Sequence, residues 1–421
     1  MRLMFREEDY ETCCLRMQEE ELAPAQDERY QSFIVKYNQN VYGTGIYTSD
    51  SLFQVINDYF AIVYTPLENG NGPELTSYSY NSIPKCYTYM DTEALNASGV
   101  TRLHEHPYLR LRGKGTVVAV IDSGIDYTNP VFQDGNGSRV LCLWDQTIPG
   151  KGNEGVPFGR VFTKKEIDEA LSSEDPLSVV PSMDTNGHGT MVAGVAAGSR
   201  VEEEDFSGAA PEASLIVVKL KQAKNYLRDF YLLPSNAEIF QEDDIMLALS
   251  FAMEQAKEYR MPLSVCLGLG TSQGAHLGYS PLSQFASSTA SFSQNSISIA
   301  AGNEGMARHH FEGNIEKGAG EVTAELRIGE DTRGFTMELW GEPPESYQIT
   351  IQSPTGENLE VSTAVKAAEQ ELSFVFVETK ILVNYIAIER QSGNSLVFFR
   401  FLHPAAGLWR IKVRGGNREG S

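Results

Sequence analysis

Residues 117–124, VVAVIDSG, determine the fold that this sequence predicts. The first five residues are apolar and mostly β-branched, which is typical of a strand buried on both faces of a parallel sheet. Asp122 follows directly, where the strand ends and Ser123 and Gly124 begin a turn. Because sites in open α/β sheets form at the carboxyl ends of strands, we expect the Asp122 carboxylate to lie in a functional site.

Two further segments place an imidazole and an amide beside glycines. His188 lies in NGHGT, residues 186–190, just before a run of small residues that predicts a tightly packed helix. Asn303 lies in AAGNEG, residues 300–305, directly after another apolar strand. Each residue alone is also compatible with a plain turn or loop. Together, an acid, a base and an amide donor for a developing oxyanion predict one shared site for nucleophilic catalysis.

These segments resemble the motifs of the subtilisin-like serine proteases (subtilases), whose site residues follow the order Asp, His, Asn, Ser. The resemblance implies that Asp122 orients the imidazole, that His188 is the general base and acid, and that Asn303 stabilises the oxyanion. It also implies a strand that pairs with a peptide substrate, formed by Gly268, Leu269 and Gly270. In segments such as Ile83-Pro84-Lys85 and Trp144-Asp145-Gln146-Thr147, the chain resembles in particular the clostridial germination proteases of the Csp group.

The serine nucleophile that should follow Asn303 does not occur in this sequence. Ser272 stands in a Gly-Thr-Ser triplet, but it precedes Asn303 and falls on the predicted substrate strand. Two interpretations stay open. The chain is part of an active serine endopeptidase whose nucleophile lies in a further segment, or it is an inactive pseudoprotease that acts as a binding or regulatory protein, for example in germination signalling.

The sequence predicts three regions. Residues 81–310 form a subtilisin-like α/β core, a three-layer fold with a mostly parallel sheet. From about Gly318 onward, alternating apolar residues separated by turn residues predict an antiparallel β-sandwich, and residues 311–421 are interpreted as an incomplete jelly-roll-like insertion. Residues 1–80 resemble the small α/β prodomain that in subtilases occupies the site until it is cleaved.

The position of that cleavage is predicted between Pro73 and Ile83, with Tyr80 as the residue before the cut. The alternative is an N-terminal domain that is never processed. The expected partners are therefore a peptide or protein substrate and the chain's own prodomain.

Composition excludes several classes of protein. A net charge of −22 disfavours binding to nucleic acid or to an anionic membrane, and no run of 18 apolar residues predicts a membrane span. The first 30 residues contain no secretory signal. The five cysteines show no CxxC spacing and leave one unpaired, which suggests a reducing compartment, so a bacterial cytoplasm or spore is predicted. His104 and His106 lack a third metal ligand nearby. No cofactor is expected, and calcium is compatible with the family without an identified site.

Overall fold

A computed structural model describes residues 22–36, 51–57, 59–67, 72–89, 104, 108, 111–201, 206–302, 307–315, 320–343, 347–363 and 369–415. The strands up to residue 302 are β1 (Tyr30–Lys36), β2 (Leu52–Val55), β3 (Phe60–Pro66), β4 (Cys86–Tyr89), β5 (Val117–Asp122), β6 (Gln133–Asp134), β7 (Gly137–Ser138), β8 (Val140–Asp145), β9 (Arg160–Thr163), β10 (Ser214–Lys219), β11 (Phe240–Gln241), β12 (Leu263–Leu267), β13 (Leu269–Gly270) and β14 (Asn295–Ile299). The helices are α1 (Lys164–Leu171), α2 (Pro176–Val179), α3 (His188–Ala197), α4 (Asn225–Phe230), α5 (Glu242–Tyr259) and α6 (Pro281–Ala290).

The central sheet has six strands in the order β14-β12-β5-β10-β8-β9. All neighbouring pairs are parallel except β8 and β9, which are antiparallel. The predicted mostly parallel sheet is therefore confirmed, with an antiparallel strand at one edge. β5, the strand identified from sequence, lies in the middle of this sheet and is buried along its whole length.

Helices cover both faces of the sheet. Alternate residues of β5 point to opposite layers, because successive side chains of a strand alternate between faces. Ile121 belongs to a cluster that includes Met246 of α5, whereas Val120 belongs to a different cluster that includes Val192 of α3. The sheet thus forms the middle layer between α3 on one face and α5 on the other, as the α/β prediction requires.

The N-terminal region forms a separate antiparallel sheet in the order β1-β3-β2. One face packs against the core, since Ile62 of β3 shares a hydrophobic cluster with Met246 of α5. The region therefore docks on the α5 side of the central sheet. The sequence between the apolar runs at 33–37 and 59–64 also permits a helix, but residues 52–55 within it form β2. Residues 37–50 of the same stretch lie outside the described residues.

After residue 320 the described chain is all β. The strands are β15 (Glu321–Ile328), β16 (Gly334–Gly341), β17 (Tyr347–Gln352), β18 (Asn358–Val361), β19 (Gln370–Ser373), β20 (Lys380–Ile386), β21 (Ser395–Leu402) and β22 (Gly407–Gly415). They form two antiparallel sheets, β15-β22-β17-β18 and β16-β21-β20-β19. One hydrophobic cluster joins them, and the rings of Phe401 and Trp409 meet edge to face at 5.9 Å. The predicted alternation of apolar residues corresponds to these paired sheets.

Candidate active site

The ends of β5 and α3 bring a carboxylate and an imidazole together. Asp122 is the last residue of β5, and His188 is the first residue of α3. His188 Nδ1 lies 2.8 Å from Asp122 Oδ1, so the tautomer with a proton on Nδ1 donates a hydrogen bond to the carboxylate. The Asp122 side chain is fully buried and that of His188 is 11% exposed. We call this pair the dyad.

Main-chain and glycine contacts hold the dyad carboxylate. The Ser123 N–H also donates to Asp122 Oδ1, at 2.7 Å, while Oδ2 is buried with no hydrogen-bond partner among the described residues. Gly268 packs directly on the pair: a Cβ atom there would lie 3.0 Å from Asp122 Oδ2 and 3.4 Å from His188 Cε1. Glycine at this position therefore permits the close approach between the dyad and the segment that precedes β13.

The sequence analysis did not single out Asp184, which lies in the loop before α3. Its carboxylate accepts hydrogen bonds from the hydroxyl groups of Ser123 and Thr190, at 2.8 and 2.7 Å. Burial raises the pKa of Asp184, but hydrogen bonds from Thr190 and Gly187 outweigh it and hold the pKa below its usual value. An acidic residue just ahead of a helix start was the available sequence signal.

The predicted substrate strand is already paired. β4 lies between β11 and β13 in a small antiparallel sheet. Leu269 of β13 is opposite Tyr89, and Gly270 is opposite Thr88. On the other side, Phe240 of β11 is opposite Tyr87. β4 thus pairs with the edges of β11 and β13, as a bound extended peptide does in β-augmentation.

The side chain of Tyr87 enters a pocket that has polar groups at its end. The phenol is buried, and its hydroxyl hydrogen-bonds the Glu242 carboxylate and the Ser280 hydroxyl. Glu242 is fully buried and also accepts the N–H groups of Lys85 and Leu282, at 3.2 and 3.1 Å. Burial raises the pKa of Glu242, and the nearby Lys85 charge opposes this shift.

Tyr80 does not lie in a position suited to cleavage. It belongs to a 3₁₀ helix, Tyr80–Ser82, and it is only 1% exposed. Its hydroxyl donates to Glu338, and its ring packs edge to face on Trp340 at 5.4 Å. A protease cuts an extended chain, so these surroundings contradict the predicted cut after Tyr80. The extended segment at the core's strand edges is β4.

Next to the dyad, the α3 side of the central sheet becomes more exposed to solvent toward the edge strand β14. Val120, Cys266 and Ser298 are register neighbours on β5, β12 and β14. Their exposure rises in that order, from fully buried through half-buried to exposed. Met191 of α3 is 43% exposed, although α3 is apolar on nearly every side and such helices are normally enclosed. We call this area the uncovered face.

The remaining predicted residues have varied outcomes. Asn303 and His106 lie outside the described residues, although β14 ends shortly before Asn303, as predicted. His104 hydrogen-bonds the Ala209 carbonyl through Nε2 at 2.8 Å. Ser272 is exposed and follows β13. Within the described ranges, no group of three His, Cys, Asp or Glu side chains could hold a metal ion. In the same ranges, no helix has the length and apolar character needed to cross a membrane.

Comparisons with known proteins identify relatives of this chain. The chain is 32% identical over 129 residues to the subtilisin-like protease SBT2.3 of Arabidopsis thaliana, covering 26% of this chain and 15% of that protein. It is 35% identical over 115 residues to the major intracellular serine protease of Bacillus subtilis, covering 27% of each. It therefore spans only a minor part of these curated relatives.

A solved structure is similar over a larger part of the chain. The CspB protease of Clostridium perfringens superposes with a TM-score of 0.64 at 30% identity, covering 77% of this chain and 64% of that one. The subtilase family profile matches residues 113–325, slightly more than half of the sequence, and this match includes the dyad, β13 and β14. The chain therefore belongs to the subtilase family of serine proteases and is related to the Csp proteases.

Proposed function

We propose that this chain provides the acid–base and peptide-binding parts of a serine endopeptidase. His188 takes the proton of an attacking serine, and Asp122 stabilises the imidazolium that forms. The Asn303 amide and a backbone N–H bind the oxyanion, and the imidazolium gives its proton to the departing amine as the acyl-enzyme forms. Water that the neutral His188 then deprotonates hydrolyses the acyl-enzyme and frees the serine. The 2.8 Å contact between a fully buried carboxylate and the imidazole carries this proposal.

The nucleophile, in this proposal, arrives on a polypeptide segment that covers the uncovered face. Exposed Met191 and half-buried Cys266 offer apolar surface close to the dyad, and β14 has an unpaired edge among the described strands. A segment that begins with serine and packs there would bring its hydroxyl to His188. The same docking would enclose α3, which removes apolar surface from water.

The N-terminal region is proposed as an inhibitory prodomain whose last strand is β4. This assignment moves the expected cut from Tyr80 to the bonds just after Tyr89. It is supported by the antiparallel pairing of β4 with both β11 and β13, the position that a peptide substrate would need. Release of β4 would expose two strand edges for the next peptide.

The pocket of Tyr87 suggests which peptides the site prefers. Glu242 and Ser280 present oxygen atoms at the end of an otherwise apolar pocket, so a substrate with tyrosine at this position satisfies them. Phenylalanine leaves the buried carboxylate short of one donor, which costs about 1–3 kcal/mol. We therefore propose that the enzyme favours tyrosine over phenylalanine at the position held by Tyr87.

The test is to express the chain together with the coding sequence that continues past residue 421. Mass spectrometry of the product should find a new N-terminus at Met90 or Asp91, and His188→Ala should abolish its formation. In the same background Tyr87→Phe should slow the cut, whereas Tyr279→Phe, a change at a partly exposed phenol, serves as the matched control.

Other outcomes point elsewhere. A cut that persists in His188→Ala would contradict the assignment of the base. A frame that stops at residue 421, with a stable uncut protein, would favour the alternative function of a binding or regulatory pseudoprotease. The proposed location, in the cytoplasm or spore of a bacterium, draws support from the printed name of the Bacillus relative, an intracellular protease.

A further inference from the structure

Asp184 joins the two segments that carry the dyad. Its Oδ1 atom accepts hydrogen bonds from the Ser123 hydroxyl at 2.8 Å and from the Gly187 N–H at 2.9 Å. Its Oδ2 atom accepts the N–H and the hydroxyl of Thr190, at 2.8 and 2.7 Å. Ser123 is the residue after the dyad aspartate, and Gly187 and Thr190 lie on either side of the dyad histidine. One carboxylate therefore ties together the surroundings of both members.

The same network completes the start of α3. Gly187 is the N-cap residue, with φ of +89°, and as a glycine it has no side chain to cap the helix. The first N–H groups of α3 donate instead to loop side chains: His188 to Asn186 Oδ1 at 3.1 Å, Gly189 to Ser123 Oγ at 2.9 Å, and Thr190 to Asp184 Oδ2 at 2.8 Å. The direction in which α3 leaves the loop, and with it the position of the imidazole, depends on these acceptors.

The charge of Asp184 suits this position. Asp184 is 8% exposed, and its carboxylate faces N–H groups at the positive end of a helix. A neutral amide of the same shape would place its NH2 group against a backbone N–H in either orientation, because Gly187 donates to one carboxylate oxygen and Thr190 to the other. The arrangement therefore requires an ionised acid rather than any polar group that fits the space.

We propose that Asp184 is a positioning residue that holds His188 against Asp122, through Ser123 on one side and Thr190 on the other. This inference rests on the proposed function in one respect, the catalytic role of the dyad. Asp184 contacts neither substrate nor reacting atoms in this assignment. It acts by fixing the loop and the first turn of α3 from which the imidazole projects.

Nuclear magnetic resonance on the chain itself tests this without a nucleophile. The parent should show a low-field proton resonance from His188 Nδ1–H, because this proton is shared with a buried carboxylate. Asp184→Asn should lose or shift that resonance while the signals of the sheet remain. Asp175→Asn is the matched control, since Asp175 is exposed and makes no side-chain cap. A parent without the resonance, or an unchanged resonance in Asp184→Asn, would overturn the proposal.

A second variant protects the test against misfolding. Ser123→Ala removes the hydroxyl that links Asp184 to Gly189 and leaves the bonds to Thr190 intact, so it should shift the His188 resonance even if Asp184→Asn fails to fold. In the completed enzyme, Asp184→Asn should lower kcat about 100-fold with KM nearly unchanged, the typical cost of a misplaced catalytic group. If the resonance responds as expected but no completed chain cuts peptides, the proposed function fails while the positioning role stands.

Discussion

Replacing Lys224 by methionine should loosen the N-terminal region from the core. Lys224 is 2% exposed, and its ammonium donates to the carbonyl oxygens of Pro24, Asp27 and Tyr30, at 2.5, 3.0 and 2.9 Å. Pro24 and Asp27 lie in the segment that leads into β1, and Tyr30 is the first residue of that strand. Each carbonyl that loses this donor lowers the free energy of unfolding by about 1–3 kcal/mol. Part of this is offset because methionine buries no charge, so we expect the free energy of unfolding to fall by about 2 kcal/mol at pH 7.

The difference in unfolding free energy between the parent and Lys224→Met should increase with pH. Burial, and secondly the charge of Lys221, lower the pKa of Lys224 from 10.5 to about 7. Between these values the unfolded chain holds a proton on Lys224 that the native protein has lost. Stability rises with pH wherever the unfolded state binds more protons, here by at most about 1.4 kcal/mol per pH unit. The stability gap between the parent and Lys224→Met should therefore widen between pH 7 and 9, by at most about 3 kcal/mol.

Denaturant unfolding at pH 7, 8 and 9 measures this gap, and hydrogen exchange of residues 22–36 shows whether the loosening is local. Lys165→Met is the control, because Lys165 is exposed on α1 and pairs only with Glu169 at 3.7 Å among the described residues. Parallel pH profiles for the parent and Lys224→Met would refute the reasoning, since the titration of a buried ammonium would then not contribute to stability.

Three further predictions follow from single contacts. Gly268→Ala should disturb the His188 Nδ1–H resonance, because the new methyl group lies 3.0 Å from Asp122 Oδ2; Gly135→Ala, with open space around it, should not. Arg139→Met should lower the unfolding free energy by about 3 kcal/mol in denaturant titrations, because the buried guanidinium donates to the carbonyls of Ala213, Val131 and Ala197. Burial and the charge of Asp122 raise the pKa of Cys266 to about 11, and alkylation of Cys266 should be faster than that of the more deeply buried Cys142. Alkylation of Cys266 should become slower in the extended protein, once a segment covers the uncovered face. An equal rate for Cys266 in this chain and in the extended protein would contradict that docking site.

Local patterns were sufficient to predict the centre of the fold. The run of apolar residues at 117–121 predicted a strand buried on both faces, and that strand is β5. Asp122 and His188 were predicted to meet because a strand end and a helix start each carried a polar residue beside glycines. The structure brings them to 2.8 Å. In both cases the signal lies within about ten consecutive residues.

Contacts between distant segments were not predictable in this way. β4 is a four-residue strand, and its place is set by β11 and β13, more than 150 residues further along the chain. Helix α5 begins only at Glu242, because Phe240 and Gln241 form the strand that pairs with β4. Asp184 stands in a loop without periodicity, and its importance arises from partners that only the folded chain assembles.

The dyad lies at the centre of the sheet, whereas the proposed docking site of the nucleophile lies at its edge. β5 lies between β10 and β12, so Asp122 obtains its burial from strands on both sides. β14, which precedes Asn303, has β12 as its one neighbour among the described strands. The proposed oxyanion donor thus follows an edge strand, and the proposed nucleophile must cover the same edge. Among the described residues, the hydrogen bonds to the Asp122 carboxylate come from the turn after β5 and from α3 rather than from β14. In the proposed function, docking would therefore supply the nucleophile to an acid–base pair that is already assembled.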